Sequence, residues 1–135
     1  MVSFVESSTD DLDERECWEL LALASVGRLA LSVKALPAIL PVQYYLDRPK
    51  LAICLGQHRL PESSINDTVV AFAVDSIDGF TGSGWTVQVQ GVLEVPLVGG
   101  VPTDCGQTVP GQVVHLEPVI INGHRFTLCP FIAGF

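Results

Sequence analysis

Between two apolar stretches the chain places Gly56-Gln57-His58-Arg59-Leu60, with Ser63 and Ser64 close behind. Two potential cations stand side by side there, ahead of a segment that could form one helical turn after Pro61. A loop of this kind can hold a phosphate, with the guanidinium and backbone amides as donors. The same residues would also suit an ordinary solvated loop, and side-chain chemistry alone leaves both accounts open. Arg28 and Arg125 are isolated cations, each more often a salt-bridge partner than a ligand contact. Trp85 stands between Gly84 and Thr86 on an otherwise aliphatic strand face. It reads as a core residue first and as the wall of a flat aromatic ligand second. Tyr44 and Tyr45 are neighbours, so on a strand they point to opposite faces and at most one meets a given ligand.

Other chemistries find no residues to carry them. No Ser/His/Asp order, paired carboxylate or Gly-rich nucleotide loop is present, and Glu94, Glu117 and the three histidines are too dispersed for an acid–base pair. Cys17, Cys54, Cys105 and Cys129 contain no CxxC pair, and His58, His115 and His124 show no ligand spacing to them, so no metal site is expected. No basic flank followed by an apolar core opens the chain, which points to a cytoplasmic protein with reduced thiols.

The net charge of −8 is unevenly placed. Glu6, Asp10, Asp11, Asp13, Glu14, Glu16 and Glu19 crowd the first nineteen residues, against Arg15 alone; the rest carries eight acids and six Lys or Arg. Nucleic acid would need a basic stripe, and there is none. The apolar share is 48% and the mean hydropathy +0.42. No run approaches the roughly 18 apolar residues of a membrane helix. An apolar excess without a membrane suggests a second buried surface, for which self-association is the usual outlet.

The elements that must position these residues are mostly strands. Residues 1–10 read as a loose tail and residues 11–135 as a single domain. Asp13 followed by Glu16 forms a capping-box pattern, with Leu12 and Cys17 placed for a hydrophobic staple. Cys17, Leu20, Leu21 and Ala24 then give an apolar stripe of helical period that ends at Ser25 to Gly27. From Gly27 the period changes to two. Strands are expected over 27–34, 38–46, 51–55, 68–74, 84–95, 113–121 and 124–128, the last two joined by Asn122-Gly123 in a type I′ hairpin turn. Residues 96–110 are a Gly/Pro-rich loop. Seven strands and one helix without strand–helix alternation argue against a Rossmann-type sheet. An antiparallel β-barrel with one N-terminal helix is the economical answer, because closure removes exposed edges.

Several blocks together form a known pattern: Gly27-Arg28-Leu29-Ala30, Pro41-Val42-Gln43-Tyr44, Gln57-His58-Arg59-Leu60, Val70 to Asp75, Gly84-Trp85-Thr86-Val87-Gln88-Val89-Gln90-Gly91 and Ile121-Asn122-Gly123-His124-Arg125-Phe126. The sequence resembles the pyridoxamine 5′-phosphate oxidase-like, FMN-binding split-barrel superfamily, in particular its short actinobacterial-type members, over about residues 12–95 and 111–128. The resemblance implies a split β-barrel homodimer that binds FMN between subunits. It places His58, Arg59 and Leu60 at the flavin phosphate, with Arg59 standing where the family commonly has Lys and Gln57 where it has Gly. It sets the backbone of Pro41, Val42, Gln43 and Tyr44 along the isoalloxazine, and it adds Arg28, Trp85 and Thr86 to the cofactor-binding set. The activity implied is that of an FMN-dependent oxidoreductase acting on a small molecule, with no catalytic residue or substrate indicated. The chain is shorter than pyridoxamine phosphate oxidase and shows no substrate-phosphate cluster, so that reaction is not expected. Two other readings stay open: a non-enzymatic carrier or sensor of flavin, of the deazaflavin cofactor F420 or of haem, and a cofactor-free structural dimer.

Overall fold

The computed structural model describes residues 6–56, 60–95 and 112–128. In chain order the elements are β1 (Glu6–Leu12), α1 (Glu14–Leu21), β2 (Val26–Val33), β3 (Leu36–Asp47), β4 (Lys50–Cys54), the short α2 (Glu62–Ile65), β5 (Thr68–Ile77), β6 (Ser83–Glu94) and β7 (Val113–Leu128). All strands pair antiparallel in the order β1-β7-β4-β3-β2-β5-β6, and β6 pairs again with β7. That last pairing closes six strands into a barrel, with β1 laid on the outside of the cycle. The expected β-barrel with an N-terminal helix is the observed architecture.

Period-two alternation decides which side chains fill the barrel. On β2, Leu29 and Leu31 are buried while Val26, Arg28 and Ser32 are exposed. On β6, Val87, Val89 and Leu93 are buried, and Gln88 and Gln90 face outward. The strand β4 is buried throughout from Leu51 to Cys54, as its unbroken apolar run anticipates. Gly27 is required by this packing, since a Cβ there would lie 2.4 Å from the Phe72 ring. That ring in turn meets Tyr44 edge-on, with centroids 5.1 Å apart.

Helix α1 starts as its sequence dictates. The Glu16 amide donates to Asp13 Oδ1 at 2.8 Å and the Asp13 amide donates to Glu16 Oε1 at 3.3 Å, completing the capping box. Cys17, Trp18, Leu20 and Leu21 are its buried face. The helix ends at Leu21, several residues before the expected stop.

Two other expectations change. Residues 6–10 belong to β1 rather than to a loose tail. The cause lies in β7, whose first half pairs with β4 only from Val113 to Leu116, leaving the edge from Gly123 to Leu128 for β1 to cover. The Asn122-Gly123 hairpin does not form either, and β7 runs straight through it. Gly123 is small for a different reason: a Cβ there would come 2.7 Å from the Thr86 carbonyl oxygen and 3.1 Å from Cys17 Sγ, where the helix crosses the sheet. The irregularity falls earlier, where β6 and β7 shift register between Gln90 and Gly91. The thiols also differ from the expectation of four reduced cysteines. Cys17 is a free, buried thiol, whereas Cys54 is disulfide-bonded.

Candidate functional site

On β3 the even positions Val42 and Tyr44 are buried and the odd positions Pro41 and Gln43 are exposed. Gln43 pairs with Val26 on one side and with Cys54 on the other. This row floors a groove of about 360 Å³ lined by Val26, Pro41, Val42, Gln43, Cys54, Leu55 and Gly56. The volume falls within the range of small-molecule sites. The groove runs along the outer wall of the barrel to Leu55 and Gly56, just past the end of β4.

The shoulders of that loop are fixed by one residue. The Leu55 amide donates to the Gln112 carbonyl oxygen at 2.8 Å. The Leu60 amide donates to Gln112 Oε1 at 3.1 Å, and Gln112 Nε2 returns a bond to the Leu60 carbonyl oxygen at 3.3 Å. Leu60 also packs against the core. Gly56 has φ +63°, a left-handed backbone suited to glycine, and among the described residues nothing lies within 4 Å of where its side chain would be. Gln57, His58 and Arg59 themselves lie outside the described residues. Replacing Gln112 with alanine should unclamp Leu60, weakening ligand binding several-fold at a cost in stability of only about 1 kcal/mol. Thermal melts and ligand titrations of the Gln112→Ala variant measure the two effects separately.

The other candidates are distributed more widely. Arg28 faces outward on β2, opposite Pro41, and is ion-paired with Asp75 of β5. Thr86 pairs with Asp75 and faces outward on β6. Trp85, one residue earlier, points to the opposite side of the strand, packs on the core and lines a different cavity with Arg125. Within one chain the structure thus gathers Pro41, Val42, Gln43 and Gly56, sets Arg28 beside them, and holds Trp85 elsewhere.

The Tyr44 side chain belongs to the core. It is 4% exposed, and its hydroxyl donates to the carbonyl oxygen of Leu21, one of the carbonyls left free at the end of α1. Burial pushes its pKa up to about 12. A folded pKa above the unfolded value of about 10 gives stability that is complete below pH 10 and is lost as pH rises to about 12. Two units correspond to about 2–3 kcal/mol. The Tyr44→Phe variant should lose about 1–2 kcal/mol at neutral pH by orphaning the Leu21 carbonyl, and the alkaline loss should be correspondingly smaller. Urea unfolding from neutral to strongly alkaline pH measures both.

The family model described as pyridoxamine 5′-phosphate oxidase matches residues 13–96, more than half of the chain. The chain belongs to this family. The matched pyridoxamine 5′-phosphate oxidase region takes in α1 and all the strands from β2 to β6, with the groove, the loop and Trp85. No curated protein matches the sequence. Among solved structures, the FAD-binding protein of Mycobacterium smegmatis is similar at 24% identity and a TM-score of 0.69, covering 88% of this chain and 99% of that one. The FAD-binding protein of Mesorhizobium loti is similar at 18% identity and a TM-score of 0.69, covering 88% and 97%. A conserved protein of unknown function from Corynebacterium diphtheriae gives 23% identity and a TM-score of 0.70, covering 87% and 98%. These likenesses establish the fold of a pyridoxamine 5′-phosphate oxidase-type split barrel.

Gln112 was not singled out by sequence reasoning, and Gly56 was only the first residue of the candidate loop. A lone Gln after a Gly/Pro-rich loop carries no signal, because its role exists only once β4 and β7 lie side by side. Gly56 does carry one, a glycine placed directly after a buried apolar run.

Proposed function

We propose that this chain is a flavin-binding protein that takes FMN in the groove of Pro41, Val42 and Gln43, with its phosphate on the loop of His58, Arg59 and Leu60. The observation that carries this reading is the continuity of groove and loop: a largely apolar groove leads to the left-handed Gly56, and Gln112 pins Leu55 and Leu60 on either side of residues 57–59. A flat ring suits an apolar groove, and an anion suits backbone amides beside a guanidinium. Family membership and the two FAD-binding relatives of the same fold support a flavin as the group held. When bound, the flavin supplies the hydride chemistry of an oxidoreductase. The residues of this chain bind and orient it.

The same face argues for a homodimer. Val26, Ile39 and Val69 are exposed by 53%, 68% and 74% on the outer wall of β2, β3 and β5. Ile39 lies in register with Ala30, whose other partner is Ala71, and Val26, beyond the Arg28–Asp75 ion pair, is itself part of the groove lining. Exposed apolar residues on the same wall as the groove are best covered by a second copy, which would complete the pocket over the flavin. A ligand that binds only the dimer must strengthen dimerisation by mass action. Sedimentation at micromolar concentration should show a dimer, and FMN should move its dissociation midpoint to lower protein concentration. A monomer at saturating FMN would remove the shared site, and a dimer indifferent to FMN would place the flavin away from the interface.

A further inference from the structure

An ion pair stands on the strands next to the groove. Arg28 of β2 pairs in register with Pro41 of β3 on one side and with Ala73 of β5 on the other. Directly paired residues share a face of the sheet, roughly 5 Å apart at Cβ, so Arg28 lies in the same outward row as Pro41. The antiparallel pairing of Gln43 with Cys54 sets Pro41 at the Gly56 end of the groove, and both residues line it. Arg28 is therefore one strand away from the end of the groove that leads to residues 57–59.

Its guanidinium is drawn the other way. Arg28 Nη2 donates to Asp75 Oδ2 on β5, two residues beyond Ala73, and the two side chains are 47% and 30% exposed. Along β2 the same face carries Val26 and Ala30, and across the sheet it carries Pro41 and Ala73, so the pair sits among apolar neighbours. In the strand order β4-β3-β2-β5, Asp75 lies three strand spacings from the strand that leads to Gly56. Three spacings are roughly 14 Å, more than one guanidinium bridges. An oxygen bound at the Gly56 end and the Asp75 carboxylate thus draw on the same cation from opposite sides.

We propose that Asp75 sets the affinity of the groove for a phosphorylated ligand by competing for Arg28. The proposal rests on the flavin reading above and adds to it a cation with two positions. Without ligand the guanidinium stays on Asp75. With a phosphate at the Gly56 end it crosses Pro41 and joins the donors of the loop. Leaving Asp75 lowers the apparent affinity for a ligand that needs Arg28, and leaves unaffected one that has no phosphate to offer it. Asp75 therefore reduces the preference of the groove for FMN over riboflavin.

Equilibrium titrations of the full chain with FMN and with riboflavin give the ratio of the two affinities in the parent and in each variant. Asp75→Asn keeps the shape of the side chain and removes its charge. It should raise the ratio about two- to fivefold, the range that a half-exposed ion pair is worth. Asp75→Glu keeps the competing charge and should stay close to the parent. Arg28→Gln should lower the ratio about tenfold, as expected for the loss of a charge-assisted contact. Adding Asp75→Asn to Arg28→Gln should then change nothing further, because no cation is left to compete for. A rise that persists in the Arg28→Gln background would show a simple repulsion between Asp75 and the phosphate, and would overturn the competition. A ratio that is unchanged or lower in Asp75→Asn overturns it as well. These failures leave saturable FMN binding by the parent in place, whereas a parent that binds neither flavin overturns the flavin reading itself and this proposal with it.

Discussion

Substituting Gly91 with alanine should destabilise the barrel by about 3 kcal/mol or more, the largest stability effect expected of a single methyl group added to any of the described glycines. Gly91 is buried on β6 at the point where the pairing with β7 changes register, and it faces Pro118. A Cβ there would lie 2.0 Å from the Glu117 carbonyl oxygen and 2.9 Å from its carbon. Both are backbone atoms, so no rotamer change relieves the overlap. Either β7 moves away or the pairing of β6 with β7 breaks. Overpacking of a flexible core costs about 1–3 kcal/mol, and a rigid backbone contact belongs at or above the top of that range. The loss would reach the site, because β7 carries the lead-in from Gln112. Chemical denaturation of Gly91→Ala against the parent measures it. A change below about 1 kcal/mol would show that the register shift absorbs a methyl group, and that the barrel closes more loosely than its pairing indicates.

The second large effect is on binding. Arg59→Ala should weaken FMN by about ten- to a hundredfold while leaving riboflavin nearly unchanged, since a charge-assisted contact is worth about 1.5–3 kcal/mol and riboflavin has no phosphate to make it. The stability of the apo protein should hardly move, because a loop arginine carries little of the core. A large apo destabilisation would make Arg59 a structural ion-pair residue instead and would shift the phosphate away from this loop. Arg59→Lys should recover part of the affinity, keeping the charge but not the fork.

The parts of this molecule that were legible in its sequence are those governed by local periodicity. The capping box at Asp13 and Glu16, the buried stripe of α1, and the strands β2 to β6 follow from spacing and alternation, and their placement is close to that observed. The failures come from elements whose structure is set by distant neighbours. Glu6–Leu12 is acidic and without alternation, and it is a strand because β7 offers an unpaired edge. Asn122-Gly123 has the composition of a turn, yet a glycine is also what a crowded helix–sheet crossing demands, and composition does not distinguish the two. The candidate site shows the same division. Pro41, Val42 and Gln43, placed by the family resemblance through their backbone, line one groove. Tyr44 was placed with them through its backbone alone, and alternation turns its side chain inward, where it caps α1. Trp85 and Thr86 are adjacent in a motif and therefore on opposite faces of β6. Gln112 became visible only when β4 and β7 were seen to meet around it.

The most direct measurement is an equilibrium titration of the purified apo protein with FMN and with riboflavin, followed by flavin fluorescence and repeated with Arg59→Ala. The account predicts saturable binding of FMN, tighter than riboflavin by about ten- to a hundredfold, and a preference that disappears in the variant. Equal affinity for the two flavins, or no saturable binding of either, would contradict it.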